Sequence, residues 1–347
     1  MTAGDPPELR LFRPTDAQRE LVTGARAVFA AAVGGADDGP RGRSWRAIAD
    51  SGLLGALVGE DADGLGLGAD DLALLTEEAG HLLVRGPLVE TAWMAVPALA
   101  AVGAPAADTL AAVLAGEVLA SAVDDTLRGP DLGAAGLVVV PGEDGDRLVD
   151  GAALGPLEPA AAADPGARLE RAPDLARAPG APVPRTGVGA LTLGRLGGAA
   201  YLLGVTRWLL ETTVAHATAR TQFGAPIGSF QAVRHGLADV HVELEFARSA
   251  VWAAAGELEA GAATGRTAVL AAAVQARRAF ALADRHCLQV HGGLGFTWEH
   301  PLHRHLKAGQ TVAARFGRGR DLAAALGDAV LAAARSAPRS APPRPHI

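Results

Sequence analysis

The sequence predicts a mostly α-helical chain with a small central β module. It reads as an N-terminal helical domain over 1–117, a short β domain over 118–188, a C-terminal four-helix bundle over 189–335 and a disordered tail over 336–347. Three observations carry this reading. Apolar residues recur three and four apart from about Thr15 to Glu117, the period of one helix face. Between Val118 and Pro184 that period gives way to short apolar runs and many prolines. From Gly189 to Ala334 the helical period returns in much longer segments.

In the first region, helices are expected near Asp16–Ala32, Ser44–Gly52, Asp70–Leu83, Leu88–Val102 and Ala106–Leu114, separated by Gly-rich turns. Asp70 or a neighbour is placed to cap the helix after the turn DADGLGLG, because a short carboxylate accepts the unpaired first-turn N–H groups. In the middle region, VLASAV and GLVVVPGEDGDRLV read as short strands around a Gly-containing turn. The run RAPDLARAPGAPVPRTG carries too many prolines for a helix and reads as loop. In the last region, four helices are expected: Gly189–Thr221, Ser229–Ala260, Thr264–Val290 and Pro301–Ala334. In the second of these, Val233, Leu237, Val240, Leu244, Ala247 and Val251 form a bundle seam. The tail SAPRSAPPRPHI is too polar and proline-rich to bury anything.

Composition excludes several function classes. The 347 residues carry a formal charge of −7 with no basic block, so phosphate-backbone binding and hence nucleic acid are poor expectations. One cysteine, Cys287, rules out an intramolecular disulfide and a thiolate cage, and its apolar mid-helix setting reads as core. MTAGDPPELRLFRPTD contains no apolar h-region, and no run reaches the roughly 18 apolar residues of a spanning helix. The expectation is a cytoplasmic protein without a membrane segment. There is no Walker A sequence, no G-x-S-x-G, and the glycines of GLGLGAD miss the dinucleotide-binding spacing. His291, His300, His303 and His305 crowd one stretch, but no H-E-x-x-H or E-x-x-H accompanies them, so no metal site is expected.

Two constellations remain. Arg220, Gln222 and Phe223 sit in a turn, with Phe230 and Gln231 opening the next helix. They offer a forked cation for a pyrophosphate, an amide for ring edges and an aromatic stacking face. In LQVHGGLGFTWEHP, Gln289, Gly292 and Gly293 end a helix, and paired glycines let another molecule approach the backbone. Read separately, the first can be a capped hairpin and the second a helix stop. Read together, at opposite ends of two bundle helices, they suggest a site for a large anionic aromatic cofactor.

These residues resemble the acyl-CoA dehydrogenase family. Its R-x-Q/T-F-G-x-x-I-x-x-F/H-Q segment stands here as RTQFGAPIGSFQ, and its Q-x-x-G-G-x-G-F-x-x-E-x-P segment as QVHGGLGFTWEHP. SGLLGALVGEDADGLGLGADDLALLTEEAG is similar to its N-terminal pattern ending in E-E-x-G. HGGLGFTWEHPLHRHL is closest to short actinobacterial members, including subunits of heteromeric enzymes that act on CoA thioesters of steroid side chains. The resemblance implies an FAD-dependent enzyme that introduces an α,β double bond into an acyl-CoA thioester, in a homo- or hetero-oligomer, with electron-transferring flavoprotein as the usual acceptor. It implies FAD in the groove between β domain and bundle, with Arg220 on the pyrophosphate of a neighbour's FAD. Gln222, Phe223, Gln231, Gln289, Gly292 and Gly293 inherit the remaining cofactor contacts, the last three at the adenosine end.

The resemblance also implies a catalytic carboxylate at one of two places, and neither holds one. Twenty-three residues after Gly293 stands Phe316, and the position before Arg195 is Gly194. Asp321, Glu299, Glu243 and Asp239 are other acids in the region. The family's E-P-x-x-G-S-D segment corresponds to SAVDDTLRGPD, and no tryptophan lies between Trp93 and Trp208. Three functions follow as expectations: acyl-CoA dehydrogenation, a silent subunit completing the FAD site of an active homologue, or non-redox reuse of the scaffold.

Overall fold

The fold is described from a computed structural model, covering residues 13–33, 39, 42–185 and 188–336. The expected disordered tail lies outside the described residues apart from its first position. The N-terminal part holds α1 (Asp16–Val33), α2 (Arg43–Asp50), α3 (Ala69–Leu82), α4 (Val96–Val102) and α5 (Ala107–Leu114). The helix expected over Leu88–Val102 is split: Glu90–Ala95 forms a wider π-type turn that leads into α4. The cap of α3 is reversed from the usual form, since the Asp71 carboxylate accepts the Gly68 N–H at 3.2 Å.

The middle part folds as two small sheets. β1 (Ala120–Ala122) pairs in parallel with β3 (Leu137–Val140), and β4 (Arg147–Asp150) and β7 (Ala181–Pro182) continue that sheet antiparallel. β2 (Arg128–Pro130), β6 (Leu169–Arg171) and β5 (Glu158–Pro159) form the second, antiparallel throughout. β3 is buried on both faces. Leu137 and Val139 face the helical core, while Val138 and Val140 close a separate core with Leu132, Leu154 and Leu175.

The bundle comprises α6 (Ala190–Ala219), α7 (Gln231–Glu259), α8 (Gly265–His291), α9 (Leu302–Ala313) and α10 (Gly319–Ser336). α6 and α7 are joined by a hairpin of β8 (Thr221–Gln222) and β9 (Ala225–Pro226). The single helix expected over Pro301–Ala334 is broken at Phe316 and Gly317, where φ is 58° and 112°. Both lie in the left-handed region that no helix interior accepts. α3 crosses α6 at backbone contact: a Cβ on Gly204 would fall 1.8 Å from the Glu77 carbonyl oxygen, and one on Gly80 would fall 2.1 Å from that of Tyr201. Trp93 lies on Gly197 and donates its indole N–H to Thr76 Oγ1 at 2.9 Å. The N-terminal helices and the bundle therefore share one continuous core.

Candidate cofactor lip and catalytic pocket

The turn after α6 is built to expose its side chains. Phe223 and Gly224 both have positive φ, 52° and 81°, the requirement of a two-residue hairpin whose twist matches its strands. A phenylalanine in that conformation costs on the order of 1 kcal/mol or more. Its ring is nevertheless 95% exposed, with only an edge-on contact to Phe230 at 6.2 Å. Arg220, Gln222 and Gln231 are exposed as well, and Arg220 makes no ion pair among the described residues. The tight hairpin thus holds an exposed cation, amide and aromatic face side by side.

Gln289, Gly292 and Gly293 are exposed at the end of α8. Gly292 takes φ 57°, and a Cβ at either glycine would meet nothing within 4 Å, so the backbone is open to a second molecule. The two segments lie at the same end of the bundle, which corrects the opposite-ends placement. α6 and α8 are separated by one antiparallel helix, so their C-termini point the same way. His216, in the last turn of α6, stacks on His291, the last residue of α8, at 4.4 Å.

The crowded histidines are used in packing. His291 is buried, with Nδ1 2.8 Å from the Cys287 carbonyl oxygen, and His300 lies tilted against it at 4.8 Å. His303 meets Trp298 edge-on at 4.6 Å. His305 stacks flat on Trp208 at 3.5 Å, and burial pushes its imidazole down to about 3. Among the described residues no group of three histidine, cysteine or carboxylate side chains is arranged to hold a metal ion. Cys287 is fully buried, and burial pushes its thiol up to about 11, far from a nucleophile.

Gly194 and Phe316 are in contact with each other. A Cβ on Gly194 would fall 3.0 Å from the Phe316 ring and 2.6 Å from the Met94 sulfur. One on Gly198 would fall 2.9 Å from the same ring. The ring thus fills the notch made by two glycines on α6. The Arg195 Nε donates to the Phe316 carbonyl oxygen at 3.0 Å, and Arg277 donates to those of Arg315 and Gly317 at 2.6 Å each. Buried Arg315 forms an ion pair with buried Glu90. The other acids are elsewhere: Glu243 pairs with Arg278 at 2.8 Å, Asp321 with Arg320 at 3.6 Å, and Glu299 and Asp239 are exposed.

Glu90, Arg277 and Arg315 were not singled out from the sequence. A lone carboxylate in the apolar run LVETAWMAV was the available signal for Glu90. In the β module, Asp124 accepts from Thr126 N–H at 2.9 Å and from Arg128 Nη2 at 3.0 Å, and that same nitrogen reaches the Ala314 carbonyl oxygen at 3.2 Å. The module is thereby latched to the bundle. A cavity of about 670 Å³ lies at the second sheet, lined by Asp131, Gly133, Pro159, Asp164 and Glu170 among others. No helix among the described residues is long and apolar enough to cross a membrane.

The likeness to known proteins agrees with this architecture. Residues 186–320 match the acyl-CoA dehydrogenase C-terminal domain. The acyl-CoA dehydrogenase IpdE2 of Mycobacterium tuberculosis is 32% identical over 311 residues, covering 87% of this chain and 91% of that protein. The acyl-CoA dehydrogenase FadE34 of the same organism is 34% identical over 291 residues, 79% of this chain and 40% of that protein. A chain of the Tcur3481-Tcur3483 steroid ACAD superposes with a TM-score of 0.80 at 27% identity, covering 92% of this chain and 99% of its own. A chain of the ChsE4-ChsE5 complex from Mycobacterium tuberculosis does so with 0.78 at 24% identity, covering 94% and 99%. By its motifs, its fold and its near full-length likeness to IpdE2, the chain belongs to the acyl-CoA dehydrogenase family.

Proposed function

We propose that the chain is a subunit of an FAD-dependent acyl-CoA dehydrogenase that introduces an α,β double bond into an acyl-CoA thioester, in an assembly with a homologous subunit. The observation that carries this reading is the exposed lip: Phe223 at 95% exposure, beside unpaired Arg220 and at the same bundle end as the open backbone of Gly292 and Gly293. These residues fit FAD. Arg220 would hold the pyrophosphate bidentately, Phe223 would offer a stacking face, and Gln222, Gln231 and Gln289 would supply amides for polar edges. When bound, FAD supplies the acceptor for the hydride leaving Cβ. A lip that projects away from its own core fits a cofactor shared with a second subunit, as in a homo- or heterotetramer. On this reading the chain divides at 117/118 and 188/189, in the cytoplasm, and electron-transferring flavoprotein is the acceptor.

A second reading is favoured by the contact of Phe316 with Gly194. A general base must lie within hydrogen-bond reach of the proton it takes, and neither position offers an oxygen. Here the chain completes the FAD site of an active homologue, whose own carboxylate takes the α-proton. Purifying the chain alone and together with a homologue separates the two. Flavin absorbance and acyl-CoA-dependent dye reduction by the chain alone support dehydrogenation at its own site. Both signals only in the mixture support the second reading, and flavin in neither sinks both. In either case Arg220→Ala is expected to weaken flavin retention about tenfold, the worth of one charged hydrogen-bonding contact. Unchanged flavin occupancy after gel filtration would remove Arg220 from the site.

A further inference from the structure

Three arginines gather around the Phe316 turn within an otherwise apolar lining. Arg195, Arg277 and Arg315 come from α6, α8 and the break between α9 and α10, and all three line one cavity of about 10 Å³ behind the Phe316 ring. A guanidinium does not lose its proton in a protein, so a buried one requires a counter-charge. Glu90 is the one carboxylate in contact with the three among the described residues. Arg195 and Arg277 are half-buried, donate to backbone carbonyl oxygens and have no carboxylate contact, so the cluster carries three positive charges against one. Asp125 acts on Arg195 from further off, and the like charge of Arg266 works against it. Arg315 is only 6% exposed, and its Nε and Nη2 are buried with no hydrogen-bond partner. The Phe316 ring lies 4.6 Å from the Arg315 guanidinium and offsets part of its charge, but it offers those two N–H groups no lone pair.

We propose that this arginine cluster holds a monatomic anion of the size of chloride in the cavity behind Phe316. The cavity has room for about one small particle, which favours a monatomic anion over phosphate or sulfate. A water would satisfy the two orphaned donors of Arg315 and leave the charge imbalance in place; a halide answers both. Burial pushes Arg277 down to about 10, with the like charge of Arg195 adding to the effect. The anion would tie α6, α8 and the α9–α10 break together, and it belongs to stability rather than to flavin binding.

The test uses the full chain in the assembly in which it purifies. Sodium chloride is exchanged for sodium gluconate at constant ionic strength and pH, and the thermal midpoint is read. A saturable rise in chloride, on the order of 2–4 °C, is expected. In crystals grown with bromide, an anomalous peak is expected between Arg195, Arg277 and Arg315. Equal midpoints in both salts, or a water rather than a halide in the cavity, overturn the proposal. A chloride response retained in Arg277→Gln means an adventitious ion only and also overturns it. If Arg277→Gln does not fold, the bromide peak in the unmodified protein decides.

Discussion

Gly204→Ala is expected to destabilise the chain by about 3 kcal/mol or more, although the same change in an exposed helix stabilises by about 1 kcal/mol. The reason is local. A Cβ at residue 204 would fall 1.8 Å from the Glu77 carbonyl oxygen and 2.5 Å from the His81 nitrogen, and both are backbone atoms of α3. No rotamer change relieves a clash with backbone, so α3 and α6 must separate. Gly80 meets the Tyr201 carbonyl oxygen from the other side, so the crossing has no slack in either direction. Separation would also strip Trp93 from Gly197 and loosen the ion pairs between Arg207 and the two glutamates of α3. Gly256→Ala serves as the control, because that glycine lies within α7 with nothing within 4 Å of a Cβ. Urea midpoints should fall for Gly204→Ala and rise slightly for Gly256→Ala. Equal midpoints for Gly204→Ala and the unmodified chain would show that α3 and α6 can separate there without loss.

That crossing illustrates what the residues disclosed on their own. The helical period located α1, α3 and the long bundle helices, because one apolar stripe per helix is a local property. The break at Phe316–Gly317 was hidden, since apolar residues continue on both sides of it and the left-handed turn depends on what Phe316 packs against. β2, β5 and β6 have two or three residues each, too few for any period to register. At the candidate site, Arg220, Gln222 and Phe223 stood out because their types suit neither core nor plain hairpin, and all three are exposed. Their convergence with Gly292 and Gly293 was misread, because it depends on how many antiparallel helices intervene. Glu90 and Arg315 are 225 positions apart, and no local pattern joins them. The EEAG run of α3 entered only as part of a resemblance. The structure supplies its reason: Gly80 permits the close crossing, while Glu77 and Glu78 clasp the helices around it.

Glu78→Gln is accordingly expected to cost about 2 kcal/mol at neutral pH, below the full cost of breaking a buried ion pair because Arg207 keeps Glu77 as a partner. Glu78 is 1% exposed. Its Oε1 accepts from Arg26 Nε of α1 at 2.7 Å, and its Oε2 from Arg207 Nη2 of α6 at 2.6 Å and Arg26 Nη2 at 3.1 Å. Arg26 is half-exposed and regains water when the carboxylate is neutralised, so the cost rests mainly on Arg207, whose side chain is 22% exposed. Burial alone would raise the Glu78 carboxyl, but the hydrogen bonds from Arg26 and Arg207 outweigh it and hold the group below the ordinary carboxylate range. A folded-state value below the unfolded one, which is about 4.3, means that the unfolded chain binds this proton more readily. The stabilisation is therefore complete above that unfolded value and fades as pH falls through the lower folded one. Urea denaturation of both proteins should show the full difference near pH 7 and a clearly smaller one near pH 3. Glu77 keeps its own arginines, Arg207 and Arg248, in both proteins, so its contribution cancels. An undiminished difference at low pH would mean that Glu78 acts through packing alone, with its charge contributing nothing to the joining of α1, α3 and α6.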